Sequence, residues 1–117
     1  MVKYECLDVK NINDVTVARL CDSRIIENQR IKVLGRELSR LVEIEQCKKV
    51  LLDFSTVDFL GSAALSSLLI LANTAKKHEC TVKFCSVRPE IQQVFMLTKL
   101  DELFGIEKDE AEGLASF

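Results

Sequence analysis

The sequence predicts a single α/β domain with a mixed, mostly parallel β-sheet of four to five strands and four helices, in the order ββαβαβαβα. Three observations support this class. Short strand-like segments alternate with segments of helical period through most of the chain. The apolar segment 50–54 is typical of a strand buried on both faces of a sheet. The 117 residues suffice for one hydrophobic core, so residues 1–117 are expected to form one domain.

The chain begins with a predicted β-hairpin. Residues 2–9 alternate imperfectly between apolar and polar side chains, and residues 15–20 are rich in β-branched side chains, so each segment predicts a strand. The Asn and Asp residues of segment 11–14 favour a turn because their side chains hydrogen-bond to nearby backbone groups. A hairpin followed by alternating helices and strands predicts a mixed sheet.

An amphipathic helix is predicted from about Glu27 to Gln46. Gly35 within it costs about 1 kcal/mol relative to alanine, which suggests a close packing contact at this position. The apolar positions recur at intervals of three and four residues and comprise Ile31, Leu34, Leu38, Leu41 and either Val42 or Glu45.

The second half of the chain continues the alternation. Beyond the strand at 50–54, the pattern predicts a helix at 62–77, whose inner face would be formed by Leu65, Leu68, Leu69, Ala72 and Ala75. Further elements are predicted as a strand at 80–85, a helix at 89–98, a strand at 103–106 and a short helix at 109–115. The loop after residue 54 is expected at the carboxyl edge of the sheet, where open α/β proteins place their sites.

Charge and hydropathy argue against several functions. The chain carries 16 Lys and Arg against 18 Asp and Glu, a formal charge of −2, so no strong field would attract nucleic acid or an anionic membrane. No segment has the roughly 18 uninterrupted apolar residues needed to cross a bilayer, and the N-terminus lacks a signal-peptide pattern. We therefore expect a cytoplasmic protein without nucleic acid or membrane insertion, as a monomer or weak dimer.

Side chains that could carry catalysis are sparse. The five cysteines have no C-x-x-C spacing, which favours buried thiols in a reducing compartment over a metal or redox role. The single histidine, His78, lies among charged residues at a predicted helix end, and Asp53 and Asp58 are more simply turn or cap residues than a catalytic pair. No hydrolase or nucleotide-binding motif is present. We therefore predict that the chain is not an enzyme and binds neither a metal nor a cofactor. The alternative, a small hydrolase, would need a general base, and the sequence offers no candidate for one.

Ser62 stands where the β-type sequence changes to helical sequence. As the N-cap of helix 62–77, its hydroxyl would accept a hydrogen bond from a first-turn N–H and contribute roughly 1 kcal/mol. A phosphate on the same oxygen would instead bring a charge of about −1.5 to −2 to the positive end of a helix. It would make an apolar, neutral surface anionic, and a partner packed there would be repelled. That surface comprises Phe59, Leu60, Gly61 and Ala63.

The segment 53–65 reads D-F-S-T-V-D-F-L-G-S-A-A-L and resembles the signature of STAS domains, the family of bacterial anti-sigma factor antagonists, which typically runs D-L-S-x-V-x-F-I-D-S-S/T-G-L. The resemblance extends to the initial hairpin, the loop with Asp22 and the segment 84–95. It implies that Ser62 is phosphorylated with ATP by an anti-sigma factor that is also a serine kinase. In such switches the unmodified antagonist binds the anti-sigma factor and phosphorylation ends that binding. A serine phosphatase is implied as a further partner.

The resemblance also implies a partner-binding surface around Ser62. Two positions depart from the signature, because Gly61 stands where the family commonly has Asp, and Ala63-Ala64 replaces Ser/Thr-Gly. These changes remove a charge beside Ser62 and stiffen the first helical turn. They favour an alternative, in which the chain is a non-phosphorylated scaffold or accessory subunit of a signalling complex or lipid-transport system and Ser62 is only a helix cap. The implied partner-binding residues are Asp22, Ser55, Asp58, Phe59, Leu60, Gly61 and Ala63.

Overall fold

The computed structural model describes residues 3–117 and confirms the α/β class. In chain order the elements are β1 (Leu7–Ile12), β2 (Val15–Leu20), β3 (Arg24–Ile25), α1 (Asn28–Glu43), β4 (Lys49–Asp53), β5 (Phe59–Leu60), α2 (Ser62–Lys77), β6 (Thr81–Cys85), α3 (Pro89–Leu97), a 3-10 turn (Leu100–Glu102), β7 (Gly105–Glu107) and α4 (Glu110–Ala115).

Five of the strands form one mixed sheet in the order β1-β2-β4-β6-β7. β1 runs antiparallel to β2, and the other neighbours are parallel, with Val17 opposite Leu51 and Leu52 opposite Phe84. The predicted order ββαβαβαβα is confirmed for these five strands and four helices. The short strands β3 and β5 form a separate two-stranded sheet that the sequence did not predict.

The sheet separates a large core from a small one. Alternate β4 residues Val50 and Leu52 pack with α1, α2 and α3, whereas Leu51 packs in a second cluster beside α4. Both Leu51 and Leu52 are fully buried, which confirms the prediction of a strand covered on both faces. The large core contains four aromatic rings, with centroid separations of 4.3 to 5.6 Å, contributed by Phe54, Phe84, Phe95 and Phe104.

The first strand begins later than predicted. Residue 2 lies outside the described residues, and strand β1 starts only at Leu7. The backbone before it does not join the strand, because the Glu37 carboxylate accepts hydrogen bonds from Glu5 N at 2.6 Å and Cys6 N at 2.8 Å. The hairpin turn is confirmed at residues 13–14, whereas residues 11–12, predicted as part of the turn, continue strand β1 as far as Ile12. Asn13 and Asp14 both have positive φ, 50° and 68°, as the tight turns of two-residue hairpins require.

Helix α1 ends at Glu43, earlier than predicted, and its apolar face is confirmed. Gln46 adopts a positive φ of 54°, which is incompatible with a continuing helix. The suggested close contact at Gly35 is wrong, because a Cβ there would lie 3.8 Å from Ser67 Oγ and leave ordinary van der Waals space. The buried residues are Ile31, Leu34, Leu38, Leu41 and Val42.

Helix α2 has the predicted bounds, but its inner face is only partly as predicted. Leu68 and Ala75 are buried, whereas Leu69 is 49% exposed. Ala64 and Leu71 are buried in its place, and Leu65 and Ala72 are half-buried. Apolar side chains of α2 point to several sides of the helix, so the sequence period alone could not predict which side faces the sheet.

The C-terminal elements are shifted from their predicted positions. The segment predicted as a strand at 103–106 contains the end of a turn that begins at Lys99, with φ of 62°, and β7 occupies Gly105–Glu107. Asp109 is the N-cap of α4 and accepts a hydrogen bond from Glu112 N at 2.9 Å. Within residues 3–117, no helix combines the length and apolar character needed to cross a membrane.

Candidate functional site

The predicted site lies beyond the carboxyl end of β4, in the segment that leads to α2. Asp53 ends the strand, and its Oδ1 accepts a hydrogen bond from Ser55 N at 2.8 Å, which turns the chain. The loop is then fixed from inside, because Phe54 and Val57 are buried and Val57 N donates to Phe54 O at 2.9 Å. Ser55, between these two buried residues, and Asp58, directly after them, remain exposed.

The short parallel pair β3 and β5 joins this loop to the segment before α1. Phe59 lies opposite Arg24, and Ser23 O accepts hydrogen bonds from Asp58 N at 2.7 Å and Phe59 N at 3.1 Å. Gly61 N donates to Ile25 O at 2.9 Å. The two segments that precede α1 and α2 are therefore held together by backbone hydrogen bonds.

Ser62 is the first residue of α2 and is exposed. The N-cap is Gly61, which has extended backbone dihedrals and no side chain with which to cap the helix, so the predicted capping role of Ser62 is wrong. Among the hydrogen bonds of residues 3–117, none involves the Ser62 hydroxyl; its carbonyl oxygen accepts from Ser66 Oγ at 3.3 Å. The hydroxyl oxygen is thus free on the surface.

The first turns of α1 and α2 lie side by side, because each helix follows a strand of the β3–β5 pair. Asn28 and Ala63 line the same surface groove, and Gly35 faces Ser67 farther along, so the helices run in the same direction. Neither N-cap makes a side-chain hydrogen bond, and neither first turn contains an acidic residue. Ser62 therefore lies at the positive end of α2 without a negative side chain in its first turn, whereas the residue that caps α1 is acidic, Glu27.

An apolar surface adjoins Ser62. Ile26 and Phe59 are each 45% exposed, and Ala63 is exposed next to them. The Arg24 guanidinium carbon lies 5.1 Å from the centroid of the Phe59 ring, a cation–π distance that orients the ring. Of the remaining predicted surface residues, Leu60 and Gly61 are half-buried.

The absence of a side chain at Gly61 is tied to Ile26. A Cβ at residue 61 would lie 3.4 Å from Ile26 Cγ2 and 3.5 Å from Ile25 O. The backbone dihedrals of Gly61 are open to any residue, so a larger side chain is limited by Ile26 rather than by strain. Glycine therefore leaves Ile26 accessible at the edge of the apolar surface.

Two arginines hold the acidic residues of the predicted site. Arg30 forms a two-pronged ion pair with Asp22, with N–O distances of 3.0 Å from Nε and Nη2, and this hydrogen bonding raises the pKa of Arg30. Arg88 Nε lies 3.1 Å from Asp58 Oδ1. Both carboxylates are already paired within the chain, so their predicted role in partner binding stays a prediction.

Sequence reasoning missed three basic or apolar groups of this site, namely Arg24, Ile26 and Arg88. The predicted residues Ser55, Asp58, Phe59, Leu60, Gly61, Ser62 and Ala63 lie on one loop and helix start, and Asp22 precedes β3. Arg24 and Ile26 follow Asp22 closely in sequence. Only the β3–β5 pairing brings them to the loop, and no local pattern indicated that pairing.

The remaining titratable groups are not assembled into a reactive site. Burial raises the pKa of the Cys85 thiol to about 12 and of the Cys6 and Cys80 thiols to about 11, so these thiols are protonated at neutral pH. The prediction of buried cysteines is confirmed for these three, whereas Cys47 is half-buried and Cys21 is exposed. Within the described part of the chain, no group of three or more His, Cys, Asp or Glu could hold a metal ion.

Comparisons with known proteins agree with this architecture. A family model described as the STAS domain matches residues 9–113. BtrV of Bordetella bronchiseptica, described as a candidate anti-sigma factor antagonist, is 22% identical over 111 residues, covering 95% of this chain and 93% of BtrV.

Solved structures share the fold. An anti-sigma factor antagonist (STAS) domain protein from Planctomyces limnophilus superposes with a TM-score of 0.81 at 23% identity, covering 94% of this chain and 95% of the other. The phosphorylated form of the Bacillus cell fate determinant SpoIIAA gives a TM-score of 0.72 at 13% identity, covering 94% of this chain and 97% of SpoIIAA.

Proposed function

This chain belongs to the STAS domain family, and we propose that it is an anti-sigma factor antagonist whose binding to an anti-sigma factor with serine kinase activity is ended by phosphorylation of Ser62. The observation that carries the proposal is the free, exposed hydroxyl of Ser62 at the first position of α2, beside an apolar surface. A serine phosphatase would reverse the modification. The chain itself acts as a regulator and not as an enzyme.

For phosphoryl transfer, this chain has only to present the Ser62 hydroxyl to the kinase. Ser62 Oγ attacks the γ-phosphorus of ATP held by the kinase, the bond to ADP breaks, and the hydroxyl proton passes to a base of the kinase. The hydroxyl carries no capping hydrogen bond that would have to be broken first. The product phosphate, with a charge of about −1.5 to −2, would lie at the positive end of α2, so the fold tolerates it.

The phosphate weakens binding through its charge and the hydration that the charge requires. The docking surface consists of the exposed apolar residues Ile26, Phe59 and Ala63, with Leu60 and Gly61 at its edge. A phosphate beside these side chains must keep its hydration, and a partner that covers the surface would have to remove it. Asp58, which pairs with Arg88, and the exposed Ser55 lie on the loop that carries this surface, and Asp22, which pairs with Arg30, precedes β3; we place all three at its polar rim.

The experiment compares acidic substitutions at two serines of α2. Ser62→Asp should weaken binding to the anti-sigma factor by at least about tenfold, since a charge enters the docking surface. Ser66→Asp is the matched control, because Ser66 is also exposed and lies one turn farther along the same helix. Ser62→Ala should keep the binding and abolish phosphate incorporation. Equal affinities for the two acidic variants would refute the switch.

A second candidate function is supported by Gly61 and Ala64, which stand where the family commonly has Asp and Gly. In this reading the chain is a constitutive scaffold or accessory subunit that is never phosphorylated. The helix-cap role that the sequence predicts for Ser62 in this reading is excluded by the Gly61 N-cap. Phosphate mapped by mass spectrometry to Ser62 after incubation with kinase and ATP would decide for the switch, and unmodified Ser62 with intact partner binding would decide for the scaffold.

A further inference from the structure

Strand β1 is a free edge of the main sheet. It pairs with β2 on one side only, and the part of the chain that the structure describes places no strand on the other side. The pairing with β2 is continuous over all six residues, from Leu7 opposite Leu20 to Ile12 opposite Val15, without a bulge. Alternate backbone N–H and C=O groups of β1 therefore point outward in a regular row.

The charges on this edge are complementary to a second copy of themselves. Asp8 and Lys10 flank Val9 and project on the same face of the sheet, because side chains alternate along a strand. If two β1 strands meet antiparallel with a two-fold axis through Val9, Asp8 of each copy lies opposite Lys10 of the other. Leu7 then lies opposite Asn11, so no like charges lie directly opposite each other, and the two Asp8 side chains and the two Lys10 side chains are only diagonal neighbours, about 7 to 8 Å apart.

Charges on edge strands normally prevent such pairing, but here both are already neutralised within the chain. Asp8 pairs with Arg19 at 2.9 Å, and Lys10 pairs with Glu110 at 3.0 Å. In such a dimer, Arg19 and Asp8 of one copy and Lys10 of the other would lie in a row across the strands, and their charges would alternate in sign. An isolated buried charge, which would oppose pairing, is therefore not created.

We propose that β1 is a self-association surface, through which two copies of this chain join their sheets across a two-fold axis at Val9. The association is weak, because the side chains of Asp8 and Lys10 are 64% and 57% exposed and exposed ion pairs contribute little. The surface is separate from Ser62 and does not depend on its phosphorylation. It leaves the segment that leads to α2 open to a partner.

Sedimentation velocity at low ionic strength tests the pairing. The unmodified protein should show a concentration-dependent monomer–dimer equilibrium. Asp8→Lys and Lys10→Glu should each weaken it by about tenfold, because each change converts two attractions across the axis into two repulsions. An equimolar mixture of the two variants should recover the dimer, since the introduced lysine of one variant would face the introduced glutamate of the other.

Leu97→Ser is the matched control, because Leu97 is the most exposed large apolar side chain among residues 3–117, at 84%, and lies on α3. This variant should dimerise like the unmodified protein. Circular dichroism of each variant checks that the exposed substitutions leave the fold intact. A monomeric protein up to about 1 mM, a mixture that stays monomeric, or loss of the dimer in Leu97→Ser would each overturn the proposal.

Discussion

Alanine at Gly113 should destabilise the protein although it replaces a helical glycine. Gly113 lies in α4 against β4, and an added Cβ would lie 2.7 Å and 2.8 Å from the two methyl carbons of Leu51. Leu51 is fully buried and packs with Val15, Val17 and Cys85, so its methyl groups can move aside only at a cost. Either Leu51 leaves its preferred rotamer or α4 moves off the sheet.

The magnitude follows from two opposing effects. Replacing glycine by alanine within a helix stabilises it by about 1 kcal/mol. Inserting a methyl group into a well-packed core costs about 1 to 3 kcal/mol, and two contacts below 3.0 Å indicate the upper half of that range. The net loss is about 1 to 2 kcal/mol, or roughly 4 to 8 °C in Tm for a domain of this size.

Gly35→Ala is the matched control, and its effect should have the opposite sign. The Cβ at Gly35 meets only Ser67 Oγ at 3.8 Å, so the helix gains about 1 kcal/mol and Tm rises by about 4 °C. Urea unfolding and calorimetry of both variants measure the difference. A Gly113→Ala protein at least as stable as the unmodified one would show that α4 is not packed against Leu51 as described.

Two further predictions concern alkaline stability and the docking surface. In the folded protein the pKa is about 11 for the Cys6 and Cys80 thiols and about 12 for the Cys85 thiol, against an ordinary pKa of 9.0. As pH rises, these thiols therefore lose their protons in the unfolded chain before they lose them in the folded protein. The free energy of unfolding should fall as pH rises above about 9. Urea unfolding between pH about 8 and about 10 measures this, and an unchanged free energy would contradict it. Phe59→Ser should lower partner affinity by about tenfold while changing the free energy of unfolding by less than about 1 kcal/mol. Leu69→Ser, at a similarly exposed position on α2, should bind normally, and equal losses in both variants would place the docking surface elsewhere.

The main sheet and the four helices could be predicted because each rests on a local pattern. The segment 50–54 is apolar throughout most of its length, and it forms the central strand β4 with Leu51 and Leu52 fully buried. The face of α1 was predictable because polar residues surround a single apolar stripe. The face of α2 was not, since Leu69 and Leu71 are equally apolar and only the position of the sheet decides that Leu71 is buried.

The sequence predicted the position of the site but not the contacts that form it. Ser62 lies at the start of a helix as predicted, yet whether it or Gly61 is the N-cap depends on a single residue's backbone dihedrals. The contacts of Arg24 with Phe59 and of Arg88 with Asp58 join residues far apart in the chain, and such contacts leave no periodic trace. The β3–β5 pair is too short to produce an alternating pattern.

The backbone hydrogen bonds from the loop before Ser62 to Ser23 and Ile25 also determine how the surface can be recognised. They order the loop during folding, so a partner does not have to immobilise it and the conformational entropy cost of binding stays small. A preorganised surface of this kind should associate without a slow rearrangement step. Modification of one hydroxyl can then change the complex through charge alone, while the backbone around it keeps its conformation.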